Sequence, residues 1–350
     1  MANPTVDAAR TPEMKTVFPA ERLEAFVAFL TERFAVYGPV AKGSQTVFGP
    51  IQTPHDLKLD YVTTILPPKK FFTAPFETLF HFNRELGITP EQVVGERGRV
   101  LFGVHPCDVA ALGLLDQVFG ASGYEDPAYR QKRQQTMVIA LNCKSAGEHC
   151  FCTSFGTGPE ATRGYDVALT DLGGRYLAEA GTESGAELLA AFDRTPATPP
   201  DLQAKAAAVS AAKASVHKRL PADKLPRLLN QNYDHPVWQR LQEECLSCGS
   251  CTVVCPTCYC FNVWDKVNLD LTTGERKQVW DSCQLVDFSQ VAMGHNFRPE
   301  RVARVKQRVY HKLSYFGEQY GGFGCVGCGR CSSACIKGID LTDIVTEIGR

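Results

Sequence analysis

Two cysteine runs with the same spacing lie in the C-terminal third of the sequence. One extends from Cys245 to Cys255 and the other from Cys325 to Cys335, and both follow the pattern C-x2-C-x2-C-x3-C. In this pattern a tight backbone turn wraps three thiolates around one iron–sulfur cubane, and the fourth thiolate is directed to a second cubane. A structural zinc site favours two separated C-x2-C pairs instead. The two runs therefore predict two [4Fe–4S] clusters.

The spacing also predicts which thiolates share a cluster, because two-cluster ferredoxins exchange the fourth ligand between their two motifs. The expected sets are Cys245, Cys248, Cys251 and Cys335 for the first cluster, and Cys325, Cys328, Cys331 and Cys255 for the second. Gly249 and Gly329 lie between ligands, where the backbone must turn close to the inorganic core. The second run ends in Cys335-Ile336 rather than Cys-Pro, which changes the local turn and leaves the number of ligands intact.

Four more cysteines follow short apolar segments in the N-terminal half. Cys107 comes shortly after segment 99–104, and Cys143 comes shortly after segment 136–141. If these segments are neighbouring parallel strands, both thiols lie at the carboxyl ends, where open α/β sheets build ligand sites. The hypothesis is a third iron–sulfur or metal site formed by Cys107, Cys143, Cys150 and Cys152. The alternative is a group of buried, reduced cysteines, which are common in protein interiors.

The remaining cysteines and the histidines leave two interpretations open. Cys258, Cys260 and Cys283 either pack as free thiols around the clusters or act as alternative ligands. His105 and His149 lie near the N-terminal cysteines, either as ligands or as ordinary core or surface histidines. The sequence has no G-x-S-x-G, H-E-x-x-H, P-loop or G-x-G-x-x-G motif, and no paired acid and base. We therefore assign no catalytic residues.

Composition sets the cellular context and excludes some partners. The 350-residue chain contains 15 cysteines, an odd number that cannot be paired completely in disulfides. Its start lacks the basic and apolar segments of a signal peptide, so we expect the reducing cytoplasm, where thiols serve metal or redox chemistry. The net charge of −1 gives no electrostatic case for binding nucleic acid. The apolar segments are too short for membrane insertion.

The elements that position these residues follow from hydrophobic periodicity. Apolar segments 99–104, 136–141 and 165–170 predict buried strands, and segment 109–119 between the first two predicts a crossover helix. That arrangement predicts a partly parallel sheet. Further helices are expected over 21–37, 181–192 and 204–220, with a weak strand over 57–64. The predicted fold class is α+β, with an N-terminal α/β domain over 1–225 and a mainly helical two-cluster ferredoxin-type domain over 226–350.

A long insert separates the two cysteine runs and contains a basic, helix-like stretch over 297–313. Its arginines and lysines form either a docking surface for a partner or an ordinary solvated helix face.

Several segments outside the cysteine runs resemble a known family from about residue 60 to the end. They are Leu66-Pro-Pro-Lys-Lys-Phe71, Val100-Leu-Phe-Gly-Val-His-Pro-Cys-Asp108, Cys150-Phe-Cys152 with Gly156-Thr-Gly-Pro159, Cys255-Pro-Thr-Cys-Tyr-Cys-Phe261, and Trp280-Asp-Ser-Cys283 with Gly294-His-Asn-Phe297. Together they resemble the iron–sulfur β subunit of soluble NAD(P)-linked [NiFe] hydrogenases, the sulfhydrogenases. The A subunit of anaerobic sulfite reductase is similar in the same segments.

The resemblance implies a heteromeric complex. A flavin subunit would carry FAD and oxidise NAD(P)H, and hydrogenase small and large subunits would carry further clusters and the Ni–Fe centre. This chain would then be a non-catalytic electron-transfer subunit that relays single electrons through its two clusters. The alternative is the equivalent subunit of an anaerobic sulfite reductase or another flavin-linked reductase.

Overall fold

The computed structural model describes residues 14–91, 97–120 and 123–350. Its strands in chain order are β1 (Lys15–Pro19), β2 (Ala35–Lys42), β3 (Gln45–Pro50), β4 (Phe76–Asn83), β5 (Gly87–Pro90), β6 (Arg99–Val104), β7 (Thr136–Leu141), β8 (Val167–Asp171), β9 (Arg175–Ala180), β10 (Phe261–Val267) and β11 (Thr273–Trp280). Its α-helices are α1 (Leu23–Arg33), α2 (Pro106–Phe119), α3 (Pro127–Gln134), α4 (Glu183–Phe192), α5 (Pro199–Ala214), α6 (Leu225–Gln231), α7 (Val237–Glu244), α8 (Ser250–Val253), α9 (Arg301–Tyr310), α10 (Phe316–Tyr320), α11 (Arg330–Ser333) and α12 (Leu341–Ile348).

A seven-stranded sheet forms the centre of the N-terminal half, with the strand order β1-β9-β8-β7-β6-β2-β3. Strands β2, β6, β7 and β8 are parallel neighbours, and antiparallel strands complete both edges. The central strands are apolar along their whole length because helices cover both faces of the sheet. The structure therefore confirms the predicted partly parallel sheet and the mixed fold class.

The side chains of β6 alternate between two apolar cores. Val100 and Phe102 face the core that contains Phe26 and Leu30 of α1. Leu101 and Val104 face the other core, which α2 closes from the opposite side. A register shift between Phe102 and Val104 is made possible by Gly103, which has a φ of +72°. The end of β6 therefore delivers the chain directly into the first turn of α2.

A second sheet of four antiparallel strands has the order β10-β11-β4-β5. Its central pairing joins β4 to β11, from Phe76 opposite Val279 to Asn83 opposite Thr273. This sheet combines strands from both sides of residue 225, where the sequence predicts a domain boundary. The division at 225 stays a prediction.

The C-terminal part is mainly helical, as the sequence predicts. Helices α6, α7, α9 and α12 share one apolar core, which includes Leu229, Trp238, Tyr310 and Ile344. Helix α9 continues through one π turn (His311–Tyr315) into α10. Within the described ranges, no helix has the length and apolar character needed to span a membrane.

Two of the predicted secondary-structure elements are wrong. The helix expected over 21–37 ends at Arg33, and the chain from Ala35 onward forms β2. Residues Val36 and Tyr37 pair with β6, so tertiary strand pairing overrides the helical periodicity at that point. The strand expected over 57–64 is irregular and instead covers β6, with the Tyr61 hydroxyl donating to the Gly103 carbonyl at 2.6 Å.

Candidate iron–sulfur sites

The two cysteine runs adopt the same local structure. In each run a glycine in the left-handed region, Gly249 (φ +77°) or Gly329 (φ +74°), directly precedes a one-turn helix. The matching amides of Thr252 and Ser332 donate to those glycine carbonyls at 3.0 and 3.1 Å. Helices α8 and α11 contact each other. The sequence repeat is therefore also a structural repeat, with both runs facing a common interior as two-cluster ferredoxins require.

The first predicted ligand set lines one cavity. Its wall includes Cys245, Cys248 and Cys251 from the first run together with Cys335 from the second. The amide of Ser247 donates to the Cys245 sulfur at 3.4 Å, and the amide of Ile339 donates to the Cys335 sulfur at 3.3 Å. Such N–H···S bonds stabilise cluster thiolates and tune their reduction potential. Cys331, which belongs to the second predicted set, also lines this cavity, so five thiols surround it and two of them accept from backbone amides. Such a thiol-rich cavity fits a [4Fe–4S] cluster.

The second predicted set is more deeply enclosed. Burial raises the pKa of the Cys325 thiol to about 12, with further contributions from Cys331 and Cys255. Burial likewise raises the pKa of Cys328, and Cys255 and Cys331 again contribute. The Gly327 amide donates to the Cys325 sulfur at 3.4 Å, matching the Ser247 bond of the first set. The thiols of both runs thus approach each other, and this set also fits a cluster.

The basic stretch at 297–313 is directed partly into the protein, and its use as a docking surface stays a prediction. Arg304, Arg308 and Lys312 recur at helical spacing on α9 and the following π turn, and Arg304 and Lys312 are buried among the cysteine runs. Burial opposes the charge of Arg308, but Cys251 and Cys331 outweigh it and raise the pKa of that guanidinium. Arg308 therefore lies where it can balance negative charge in both predicted sites.

Lys312 and Lys69 provide two more buried cations on the side of Cys255. The Lys312 ammonium donates to the Thr257 hydroxyl at 2.8 Å, and that hydroxyl lies 3.2 Å from the Cys255 sulfur. The Lys69 ammonium donates to the Cys258 carbonyl at 2.6 Å and lies 4.1 Å from the centroid of the Trp280 ring. Sequence reasoning missed both lysines. The available signals were the charged pair after Pro67-Pro68 and the four-residue spacing of the basic residues on α9.

Replacing Lys312 with methionine is expected to lower the reduction potential of the second cluster by up to about 100 mV, because a buried positive charge favours the more negative, reduced state. Lys306→Met is the matched control, since Lys306 is on the same helix but lies 3.8 Å over the Tyr233 ring. The measurement is a redox titration followed by electron paramagnetic resonance. An equal shift in both variants would contradict a local effect of Lys312.

The four N-terminal cysteines lie in neighbouring segments, and the third site that they would form stays a prediction. Strands β6 and β7 are parallel neighbours, and Cys107 and Cys143 follow their carboxyl ends. Burial raises the pKa of Cys143, with contributions from Cys152 and Cys150. Burial also raises the pKa of Cys107, to which Asp108, Cys328 and Cys143 contribute. Within residues 14–91, 97–120 and 123–350, no three potential ligands are close enough to bind a single metal ion.

This N-terminal cysteine group packs directly against the second run. The Phe151 amide donates to the Gly327 carbonyl at 2.8 Å, and the Thr157 hydroxyl donates to the Val326 carbonyl at 2.7 Å. A Cβ on Gly327 would lie 2.6 Å from the Cys152 nitrogen, which explains why only glycine fits there. The corresponding residue of the first run is Ser247, whose φ of +53° is also in the left-handed region.

A buried ion pair fixes the same contact. The Arg330 guanidinium donates to both carboxylate oxygens of Asp108 at 2.7 and 2.6 Å and to the Thr64 carbonyl at 2.8 Å. Both charged side chains are at most 2% exposed. Asp108 follows Cys107 on α2 and Arg330 precedes Cys331, so the pair ties the two cysteine groups together.

The two candidate histidines make other contacts. His105 stacks on Tyr61 at 4.0 Å and hydrogen-bonds the Val62 carbonyl at 3.0 Å. Burial lowers the pKa of His105 to about 4, so its ring is neutral at physiological pH. The His149 ring lies 3.2 Å from an Asp340 carboxylate oxygen. Each ring thus has a structural role in the described contacts.

The remaining cysteines form two thiol contacts. Cys258 hydrogen-bonds Cys255, which raises the pKa of Cys258 and lowers that of Cys255. The hydrogen bond between Cys260 and Cys283 lowers the pKa of Cys283 to about 6 and raises the pKa of Cys260. Cys258 therefore packs beside a predicted ligand, and Cys260 and Cys283 pack against each other.

Comparison with known proteins agrees with this geometry. Residues 244–339 match the 4Fe–4S dicluster domain family. The chain is 35% identical over 333 residues to sulfhydrogenase 2 subunit beta of Pyrococcus furiosus, which covers 94% of this chain and 96% of the relative. No solved structure matches the chain. The chain belongs to the family of sulfhydrogenase beta subunits, and it carries a 4Fe–4S dicluster domain.

Proposed function

We propose that the chain is the electron-transfer subunit of a cytoplasmic, NAD(P)-linked [NiFe] hydrogenase complex. It would relay single electrons between a flavin subunit and the clusters of partner subunits. The observation that carries the proposal is the cavity lined by thiols of both runs, namely Cys245, Cys248, Cys251, Cys331 and Cys335. The identity with a sulfhydrogenase beta subunit supports the hydrogenase assignment.

The chain's own residues supply ligands, charge and exclusion of water. Bound in the two sites, [4Fe–4S] clusters would supply reversible one-electron chemistry. The amides of Ser247 and Gly327 would donate to ligand sulfurs in the two sites, and Arg308 would balance charge between them. Cys248 is exposed and Leu246 and Ile336, which also line the first cavity, are 53% and 76% exposed. The first site therefore has the more open route to a partner.

The third cysteine group extends this relay in our proposal. Cys107, Cys143, Cys150 and Cys152 would hold a third iron–sulfur cluster next to the second site, because the segment that carries Cys150 and Cys152 hydrogen-bonds the second run at Gly327. The order would then be third site, second site, first site, from the N-terminal sheet towards the exposed Cys248.

Replacing Cys143 with alanine tests the third site by iron content. We expect about twelve irons per wild-type chain and about eight in the variant, with the signals of the other two clusters retained. Chemical iron analysis and electron paramagnetic resonance of anaerobically prepared protein measure both quantities. A wild-type content near eight would rule out a third cluster and leave the four residues as buried, reduced cysteines.

Isolation of the native complex without oxygen tests the proposed partners. A flavin subunit that carries FAD and oxidises NAD(P)H, together with hydrogenase small and large subunits, is the expected set of co-purifying chains. Co-purification with sulfite reductase subunits would instead support the alternative, the equivalent iron–sulfur subunit of an anaerobic sulfite reductase or another flavin-linked reductase. Turnover of a small substrate by the chain alone would contradict an electron-transfer role.

A further inference from the structure

A β-hairpin brings two cysteines outside the three proposed ligand sets to one point. Cys260 directly precedes β10, and Cys283 follows β11 after two residues. At the base of the hairpin Phe261 pairs with Trp280, and the Asp281 amide donates to the Cys260 carbonyl at 2.9 Å. The Cys283 amide and thiol both contact the Cys260 sulfur. Strand pairing, rather than chance packing, therefore sets the approach of these two thiols.

The base of this hairpin is anchored to the rest of the fold. The Trp280 indole nitrogen donates to the Thr73 carbonyl at 3.0 Å, and the Lys69 ammonium lies over the Trp280 ring. On the other side, the Gln284 amide nitrogen lies 3.8 Å from the Cys283 sulfur and donates to the Arg304 carbonyl at 2.8 Å. Two thiols held in contact by a fixed frame can form a disulfide with little backbone movement.

The thiol pair lies near residues of both predicted cluster sites. Cys283 is close enough to Cys251 of the first set to contribute to its pKa. Cys258, two residues before Cys260, hydrogen-bonds Cys255 of the second set. Both thiols of the pair are partly accessible to solvent. A two-electron thiol couple would thus have the proposed one-electron carriers nearby and water as a source of protons.

We propose that Cys260 and Cys283 are a redox-active dithiol–disulfide couple that exchanges two electrons with the iron–sulfur relay. This inference rests on the proposed function, because the relay is the electron source. In the reducing direction the S–S bond breaks, two one-electron donors of the relay each give one electron, and two protons from solvent complete the two thiols. In the oxidising direction the S–S bond forms, and the same electrons and protons leave.

The site differs from a structural disulfide in its setting. Structural disulfides of exported proteins resist reduction, whereas partly exposed ones next to a reductant are labile. The couple would hold an electron pair beside carriers that move electrons singly. It would therefore couple one-electron transfer through the clusters to a two-electron reaction, at a site that binds no cofactor of its own.

The test uses the full chain, purified without oxygen and with its iron retained. Oxidised glutathione oxidises the pair by thiol–disulfide exchange and releases two molecules of reduced glutathione. Free thiols are then alkylated and the protein is digested with a protease that cleaves after Tyr259, which separates Cys260 from the preceding cysteines. The expected result is a linked peptide containing Cys260 and Cys283. Reductive titration of the oxidised chain should take two more electrons than that of the C283S variant.

Three variants make the result specific. C260S and C283S should each lose the linked peptide and the two additional electrons while keeping the wild-type iron content. Asn262→Ser, an exposed change on the same hairpin, should keep both. Full alkylation of Cys260 and Cys283 after oxidation, or loss of iron in C260S or C283S, would overturn the couple. An iron-free wild-type chain that still forms the linked peptide would instead overturn the relay, and with it the exchange.

Discussion

Replacing Cys335 with alanine is expected to remove the cluster that the first run otherwise builds. Cys335 belongs to the second run by sequence, yet it lines the cavity of Cys245, Cys248 and Cys251. Loss of one of four thiolate ligands leaves an iron without its protein ligand, so we expect about four irons fewer per chain and loss of one set of cluster signals. Iron analysis and electron paramagnetic resonance of the reduced, anaerobically prepared variant provide the measurement.

The reciprocal variant makes the exchange of ligands visible. Cys255→Ala should remove the other cluster. The spectroscopic signal lost in C335A should then be the one lost in C248A. The signal lost in C255A should be the one lost in C328A. Ile336→Ala is the control, because Ile336 directly follows Cys335 and is 76% exposed. It should keep the wild-type iron content. If C335A and C328A lost the same signal, each run would hold its own cluster and the exchange would be wrong.

Replacing Asp108 with alanine is expected to destabilise the fold by about 3–5 kcal/mol, since it leaves a buried arginine charge without a partner. Arg330 would keep its bond to the Thr64 carbonyl but lose two carboxylate bonds. The affected contact joins the first turn of α2 to the second cysteine run, so we also expect faster loss of the second cluster on warming. Thermal unfolding of the cluster-loaded chain without oxygen measures the decrease in Tm.

Two further variants separate the ion pair from other effects of the substitution. D108A combined with Arg330→Met removes both charges and should recover part of the lost stability, because an apolar pair carries no uncompensated charge. Asp265→Asn breaks an exposed pair with Arg276 and should leave Tm close to that of the wild type. A Tm for D108A equal to that of D265N would contradict a stabilising role for the buried ion pair.

The features that local sequence encodes were predictable. Each cysteine run contains its own turn, so its sequence alone indicates the tight backbone turn at Gly249 and Gly329. Buried strands β6 and β7 are apolar along their length, which identified both the sheet and the meeting point of Cys107 and Cys143. In these cases one short segment contains the whole signal.

The features that depend on distant partners were not predictable. Strand β4 pairs with β11 across nearly two hundred residues, and both strands are partly exposed, so neither has a strong apolar pattern. The inward positions of Arg308, Lys312 and Lys69 could not be predicted, because the thiols near them come from other segments of the chain. The hairpin contact of Cys260 with Cys283 likewise requires the register of β10 and β11. Long-range pairing, not local propensity, decides each of these.

The pairing of β4 with β11 also has a consequence for biosynthesis. On the ribosome, β4 and β5 emerge long before β11, so the inner edge of that hairpin has no partner until much of the chain has been made. Cys335 is near the end of the chain and is the last cysteine to appear. A nascent chain that ends before residue 335 therefore cannot offer the complete predicted set of thiols around the first cavity.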